Sequence, residues 1–130
     1  MITTVYAALG ALMIVWLSLQ VIKLRHREKV NIGDGGCEQL TAAIAAQLNA
    51  VEYIPIALIL LFALEYNGAH LVLVHAFGIA LLAGRALHAR AMLSNDLVLR
   101  VRGMQITLWG ITGLAIVNLL YLAWAGLSTL

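Results

Sequence analysis

This chain of 130 residues is 63% hydrophobic and only 11% charged, and its mean hydropathy is +0.97, well outside the balance of a soluble globular domain. The formal net charge of +2 rests on 8 Lys and Arg residues, too few and too regularly placed for a nucleic-acid surface. Cys37 is the only cysteine, which excludes an intrachain disulfide and a thiolate metal cluster.

From Val5 to Ile22 no residue is charged, and about 18 such positions suffice for a transmembrane helix. The N-terminus lacks the positive region of a cleaved signal, so this run is expected to remain as span one. The polar stretch Lys23–Lys29 follows, and then Gly33-Asp34-Gly35-Gly36, whose glycines suit a tight turn. Leu40 to Leu64 forms span two, interrupted by Gln47, Asn49 and Glu52 and ending at Glu65-Tyr66-Asn67-Gly68. Pro55 lies inside it, removes a helical donor from the Val51 carbonyl and predicts a kink beside Glu52. Span three begins at Leu71 and runs through Gly84 into Arg85, His88 and Arg90, before Ser94-Asn95-Asp96 breaks it. Arg100 and Arg102 then precede span four, Met104 to Leu127.

These runs predict an all-α membrane protein, a four-transmembrane-helix up-down bundle in one domain over residues 1–130. All 8 Lys and Arg residues fall at one end: Lys23, Arg25, Arg27 and Lys29 after span one, and Arg85, Arg90, Arg100 and Arg102 around the third connection. Positive charge collects on the cytoplasmic side, so both termini are expected outside. Tyr6, Tyr66, Tyr121 and Trp124 gather toward the opposite end, as an interfacial aromatic belt would. The small residues Ala42, Ala46 and Ala50, and again Ala80 and Gly84, recur at a spacing that lets helix backbones approach.

An ionisable residue inside a span marks a functional site by default, and its partner should be identified. Counted from the outer turn, Glu52 and Arg85 lie at equal depth, about 21 to 23 Å down at the helical rise per residue. Asn49 and His88 lie one turn further in. The i, i+3 spacing predicts a polar ladder of Glu52 with Arg85 and Asn49 with His88, opening toward Arg25, Arg100 and Arg102. Two readings fit it equally: a pocket entered from the cytosol, or an ion pair that sets helix register and binds nothing. His70, His75, Gln105 and Asn118 are isolated and read as interhelical hydrogen bonds, and no metal site follows from them.

Three segments carry a family resemblance over the whole chain: Ser18-Leu19-Gln20-Val21-Ile22 leading to Arg25, Asn49-x-x-Glu52-Tyr53-x-Pro55, and Gly84-Arg85-x-x-His88. They resemble the membrane-associated proteins in eicosanoid and glutathione metabolism, and in particular a compact bacterial branch marked by Gly33–Gly36 and Asn49–Pro55. The resemblance implies a four-helix protomer that assembles as a homotrimer in the bacterial inner membrane, with glutathione as co-substrate between protomers near the cytoplasmic side. Arg25, Asn49, Glu52, Tyr53, Arg85 and His88 would form the glutathione site. Arg102 or Arg100, with Arg102 favoured, would stabilise the thiolate.

The chemistry fits these residue types. Glutathione carries two carboxylates and one ammonium, which call for several cations and an anion, and a nearby arginine lowers a thiol pKa. Met92 stands where the eicosanoid enzymes have a tyrosine, and Leu48 where they have a basic residue. The implied activity is glutathione transfer to, or glutathione-dependent reduction of, lipophilic electrophiles from the bilayer. The alternative is a non-catalytic trimeric membrane protein that binds an anionic lipid or other amphiphile.

Overall fold

The computed structural model describes residues 1–127, with side chains to residue 124, as four helices in succession: α1 (Thr3–Glu28), α2 (Glu38–Tyr66), α3 (Leu71–Ser94) and α4 (Leu97–Leu127). Each is long and apolar enough to cross a membrane. The chain is therefore a multi-pass membrane protein, and its helices run up and down through short connections. α2 and α3 occupy the centre. α1 packs on both of them, α4 packs on both of them, and among the described residues α1 and α4 do not meet.

The helices outrun the apolar stretches that announce them. Span four was expected from Met104, but α4 begins at Leu97, so Arg100 and Arg102 belong to its first turns. Hydropathy marks where the hydrocarbon lies, whereas the backbone ladder continues as long as its ends are capped. Asp96 provides that cap by accepting from the Leu99 N–H at 3.0 Å. α3 stops one residue earlier, at Asn95, which takes the left-handed conformation at φ 55°. α1 ends in the same way at Lys29. α2 continues unbroken through Pro55.

At the terminal end of the bundle the first turn of α1 is capped by its neighbour. Glu65 of α2 accepts from the Ile2 N–H at 2.5 Å and from the Thr3 N–H at 2.8 Å, placing a carboxylate at the positive end of the α1 dipole. Tyr6 does not join an interfacial belt as expected. Its ring is buried over Gly78, where an added Cβ would come within 2.5 Å of it. Its hydroxyl meets His75 Nδ1 at 2.7 Å. Glycine supplies the room and histidine the partner, so the phenol can leave the interface.

Of the four isolated polar residues, His75 and Asn118 make the interhelical bonds expected of them, whereas His70 and Gln105 do not. Asn118 donates to the Leu60 carbonyl at 3.0 Å, and Gln47 donates to Ser18 Oγ at 3.1 Å. His70 turns back to its own helix start and accepts from the Val72 N–H at 3.3 Å. Gln105 is exposed on the outer face of α4.

Candidate functional site

α3 and α4 cross most closely where glycine faces backbone. A Cβ on Gly103 would lie 2.6 Å from the His88 nitrogen and 2.9 Å from the Gly84 oxygen. A Cβ on Gly84 would lie 2.9 Å from Thr107 Oγ1. Only hydrogens fit between these helices at this level. The crossing sets Thr107 beside Arg85, the residue that follows Gly84.

Arg85 is 2% exposed, the largest of the fully buried side chains. Its Nε donates to Thr107 Oγ1 at 2.8 Å, and that hydroxyl in turn donates to the Gly103 carbonyl at 3.0 Å. Its Nη1 donates to Asn49 Oδ1 on α2. Nη2 lies 3.6 Å from the Met104 sulfur, and the guanidinium carbon stands 5.2 Å from the centre of the Tyr53 ring, a cation–π distance. One side chain thus ties α2, α3 and α4 together.

Every one of these partners is neutral. Among the described residues the single ion pair is Arg27 with Glu28, at 2.6 Å, on the surface at the loop end. A buried cation without a counter-charge is costly, and partial hydrogen bonding and a ring face offset only part of that cost.

The expected ladder is therefore rotated. Depth counting placed Glu52 and Arg85 at one level, but depth does not fix azimuth. Arg85 fits between Asn49 and Tyr53, which lie one above the other at i, i+4 on the inner face of α2. Ala46, Ala50, Ile54 and Ala57 turn that side of the helix to the core. Glu52 falls outside this arc, is exposed on the outer face of the bundle and does not pair with Arg85. Asn49 gives its oxygen to Arg85 instead of meeting His88. His88 is buried, with its backbone against Gly103. Thr107, Met104 and Gly103 complete the site and were not anticipated. The four-residue spacing of Gly103 and Thr107 is the small-residue signal that would have found them.

Arg25 is occupied elsewhere. It donates to the Gly33 carbonyl at 2.8 Å and holds the first connection against the end of α1. Asp34 orders the same loop by accepting from the Gly36 N–H at 3.0 Å and the Thr41 hydroxyl at 2.9 Å. Those bonds, led by the backbone amide, hold its carboxyl below the ordinary value of 3.8.

The two α4 arginines part company. Arg100 reaches the Met92 sulfur at 3.7 Å, one helical turn beyond His88, and borders a depression with Ala42 and Asp96. Arg102 projects into a groove between α3 and α4 on the outer surface.

The fold and site define a class: a small four-span membrane protein built round a buried arginine that joins three of its helices. The chain belongs to the MAPEG family, whose model matches residues 3–120. It is 40% identical over 124 residues to the inner membrane protein YecN of Escherichia coli K12, an alignment that covers 95% of each chain. It is equally similar to the YecN of Escherichia coli O6:H1.

Proposed function

We propose that this protein binds glutathione near its basic end and activates the thiolate toward lipophilic electrophiles that enter from the bilayer. The observation that carries the reading is the pair of unmatched charges at one depth. Arg85 is a buried cation with only neutral partners, and Glu52 lies on the outer face with no cation partner among the described residues. A peptide with an ammonium and two carboxylates complements both.

Because Glu52 faces away from Arg85, one protomer does not enclose such a ligand. In a homotrimer Glu52 would face a neighbour and complete the site from the side, with Asn49, Tyr53 and His88 as its polar floor. Arg85 supplies positive potential, and the low dielectric around it strengthens that effect. Arg100, on the His88 side of the crossing, is better placed than Arg102 to hold a thiolate. The thiolate sulfur would form the new bond to an electrophilic carbon; in a substitution the displaced group would leave toward water with its bonding pair, and in an addition the carbanion formed would take a proton from water. Arg25 would act indirectly, by keeping the first connection ordered.

The test is thermal unfolding of the detergent-purified protein with and without glutathione. A ligand that binds only the folded form at 100 times its Kd adds about 2.7 kcal/mol. Glu52→Gln is the decisive variant because Glu52 is exposed on the single chain and glutamine keeps its size where it would face a neighbour. It should melt like the wild type without ligand and lose the protection that glutathione gives. Absence of protection in the wild type at saturating glutathione would end the proposal.

A further inference from the structure

The groove that receives Arg102 is a cavity that no role yet accounts for. It has a volume of about 670 Å³ and is walled by Ala76, Phe77 and Ala80 of α3 and by Ile106 and Gly110 of α4. Ala76, Ala80 and Gly110 are small. Gly110 in particular has open space where a Cβ would stand, so the cleft is a property of the sequence rather than of poor packing. Trp109 forms one rim and is 75% exposed. From Arg102 to Gly110 α4 rises about 12 Å, close to the ~15 Å depth of one leaflet's hydrocarbon.

The polar groups of the groove are confined to one end. Arg102 and Gln105 lie toward the basic end of the bundle, where Arg90 and Arg100 add further positive charge. Arg102 has no carboxylate partner among the described residues. The arrangement is a cation and an amide at the basic end of the groove, with an apolar slot running on from them toward the bilayer centre. A free acidic metabolite would leave the slot empty, and a neutral lipid would leave the arginine without a counter-ion. Only an amphiphile with an anionic head and an acyl chain matches both ends.

We propose that the α3–α4 groove is a binding site for an anionic phospholipid of the inner leaflet, with its phosphate on Arg102 and Gln105 and one acyl chain along Ala80 and Gly110 beside Trp109. The site lies on the outer face of α3 and α4, separate from Arg85, and does not depend on glutathione binding. It gives Arg102 a role different from that of Arg100. An ordered lipid here would also cover the line along which α3 and α4 separate, and so support the Gly84–Gly103 crossing.

Trp109 is a built-in reporter. The double substitution Trp16→Phe and Trp124→Phe leaves it as the single tryptophan of the chain. The protein is reconstituted in phosphatidylcholine vesicles with a minor fraction of brominated-chain lipid, either phosphatidylglycerol or phosphatidylcholine, at equal mole fraction. Brominated phosphatidylglycerol should be enriched at Trp109 by about fivefold over brominated phosphatidylcholine, the factor that one arginine supplies near an anionic headgroup. Arg102→Gln should remove the preference, Arg102→Lys should keep most of it, and Arg90→Gln should leave it intact. Far-UV circular dichroism confirms that each variant retains its helices. Equal quenching by the two lipids overturns the proposal, as does a preference that survives Arg102→Gln or falls equally in Arg90→Gln. Trp109 shielded from both lipids would assign the groove to a second copy of the chain and would also overturn it.

Discussion

Gly103 and Gly110 sit on the same helix, two turns apart, and differ in what lies opposite them. A Cβ at Gly103 would meet the His88 nitrogen at 2.6 Å and the Gly84 oxygen at 2.9 Å, whereas one at Gly110 would meet nothing within 4 Å. Gly→Ala raises helix propensity by about 0.8 to 1.0 kcal/mol at either site, so that gain cancels in the comparison. What remains is the overpacking at Gly103. Its neighbours are backbone atoms of α3, which cannot rotate out of the way, so relief requires the two helices to separate by several tenths of an ångström. Such overpacking costs about 1 to 3 kcal/mol. Separation would also stretch the 2.8 Å bond from Arg85 Nε to Thr107 Oγ1, which brings the difference toward the upper end of that range. Gly103→Ala should therefore unfold at a lower denaturant concentration than Gly110→Ala, by about 2 to 3 kcal/mol, in circular dichroism titrations of the detergent-purified protein. Equal stability of the two variants would show that the α3–α4 crossing is looser than described and that Arg85 is not held by it.

Thr107→Val keeps the shape of the side chain and removes the oxygen that Arg85 uses. With a charged donor left unpaired, a loss of about 1.5 to 3 kcal/mol is expected in the same titration. Asn49→Ala should produce a comparable loss through Nη1, and because the two sites share one guanidinium, the double variant should depart from additivity. Tyr6→Phe should leave the ring over Gly78 but free His75 Nδ1, costing about 0.5 to 1.5 kcal/mol, whereas Gly78→Ala should cost more by displacing the ring itself. Asp34 has its carboxyl held below 3.8, so its ordering of the first connection is complete above that value and is lost as pH falls through the lower folded value. Proteolysis of the loop at neutral pH should accordingly increase in Asp34→Ala, and hydrogen exchange at the Gly36 amide of the wild type should accelerate only in strong acid.

Much of this protein is legible from the chain alone because the bilayer is a demanding solvent. Water is absent from its core, so every spanning segment must satisfy its own backbone, and long uncharged runs can do little but form helices. The number of spans, their order and the clustering of basic residues at one end follow from that constraint. Candidate site residues were also visible: Asn49, Glu52, Arg85 and His88 stood out as polar or ionisable groups in or beside apolar runs, and Tyr53 came only with the family resemblance.

What the chain did not disclose is which of these residues face one another. Counting residues gives depth along a helix, but the rotation of the helix about its axis is decided by packing, here by Ala46, Ala50, Ile54 and Ala57 turning inward. That rotation put Asn49 and Tyr53, not Glu52, against Arg85. Thr107 and Gly103 escaped notice because a threonine or a glycine in a span is ordinary until a second helix comes within contact distance. The same crossing set Arg100 on the His88 side and Arg102 in the outer groove, although two residues in sequence are all that separates them. Composition determined the helices, and the close approach of α3 to α4 at Gly84 and Gly103 determined what their polar residues can do.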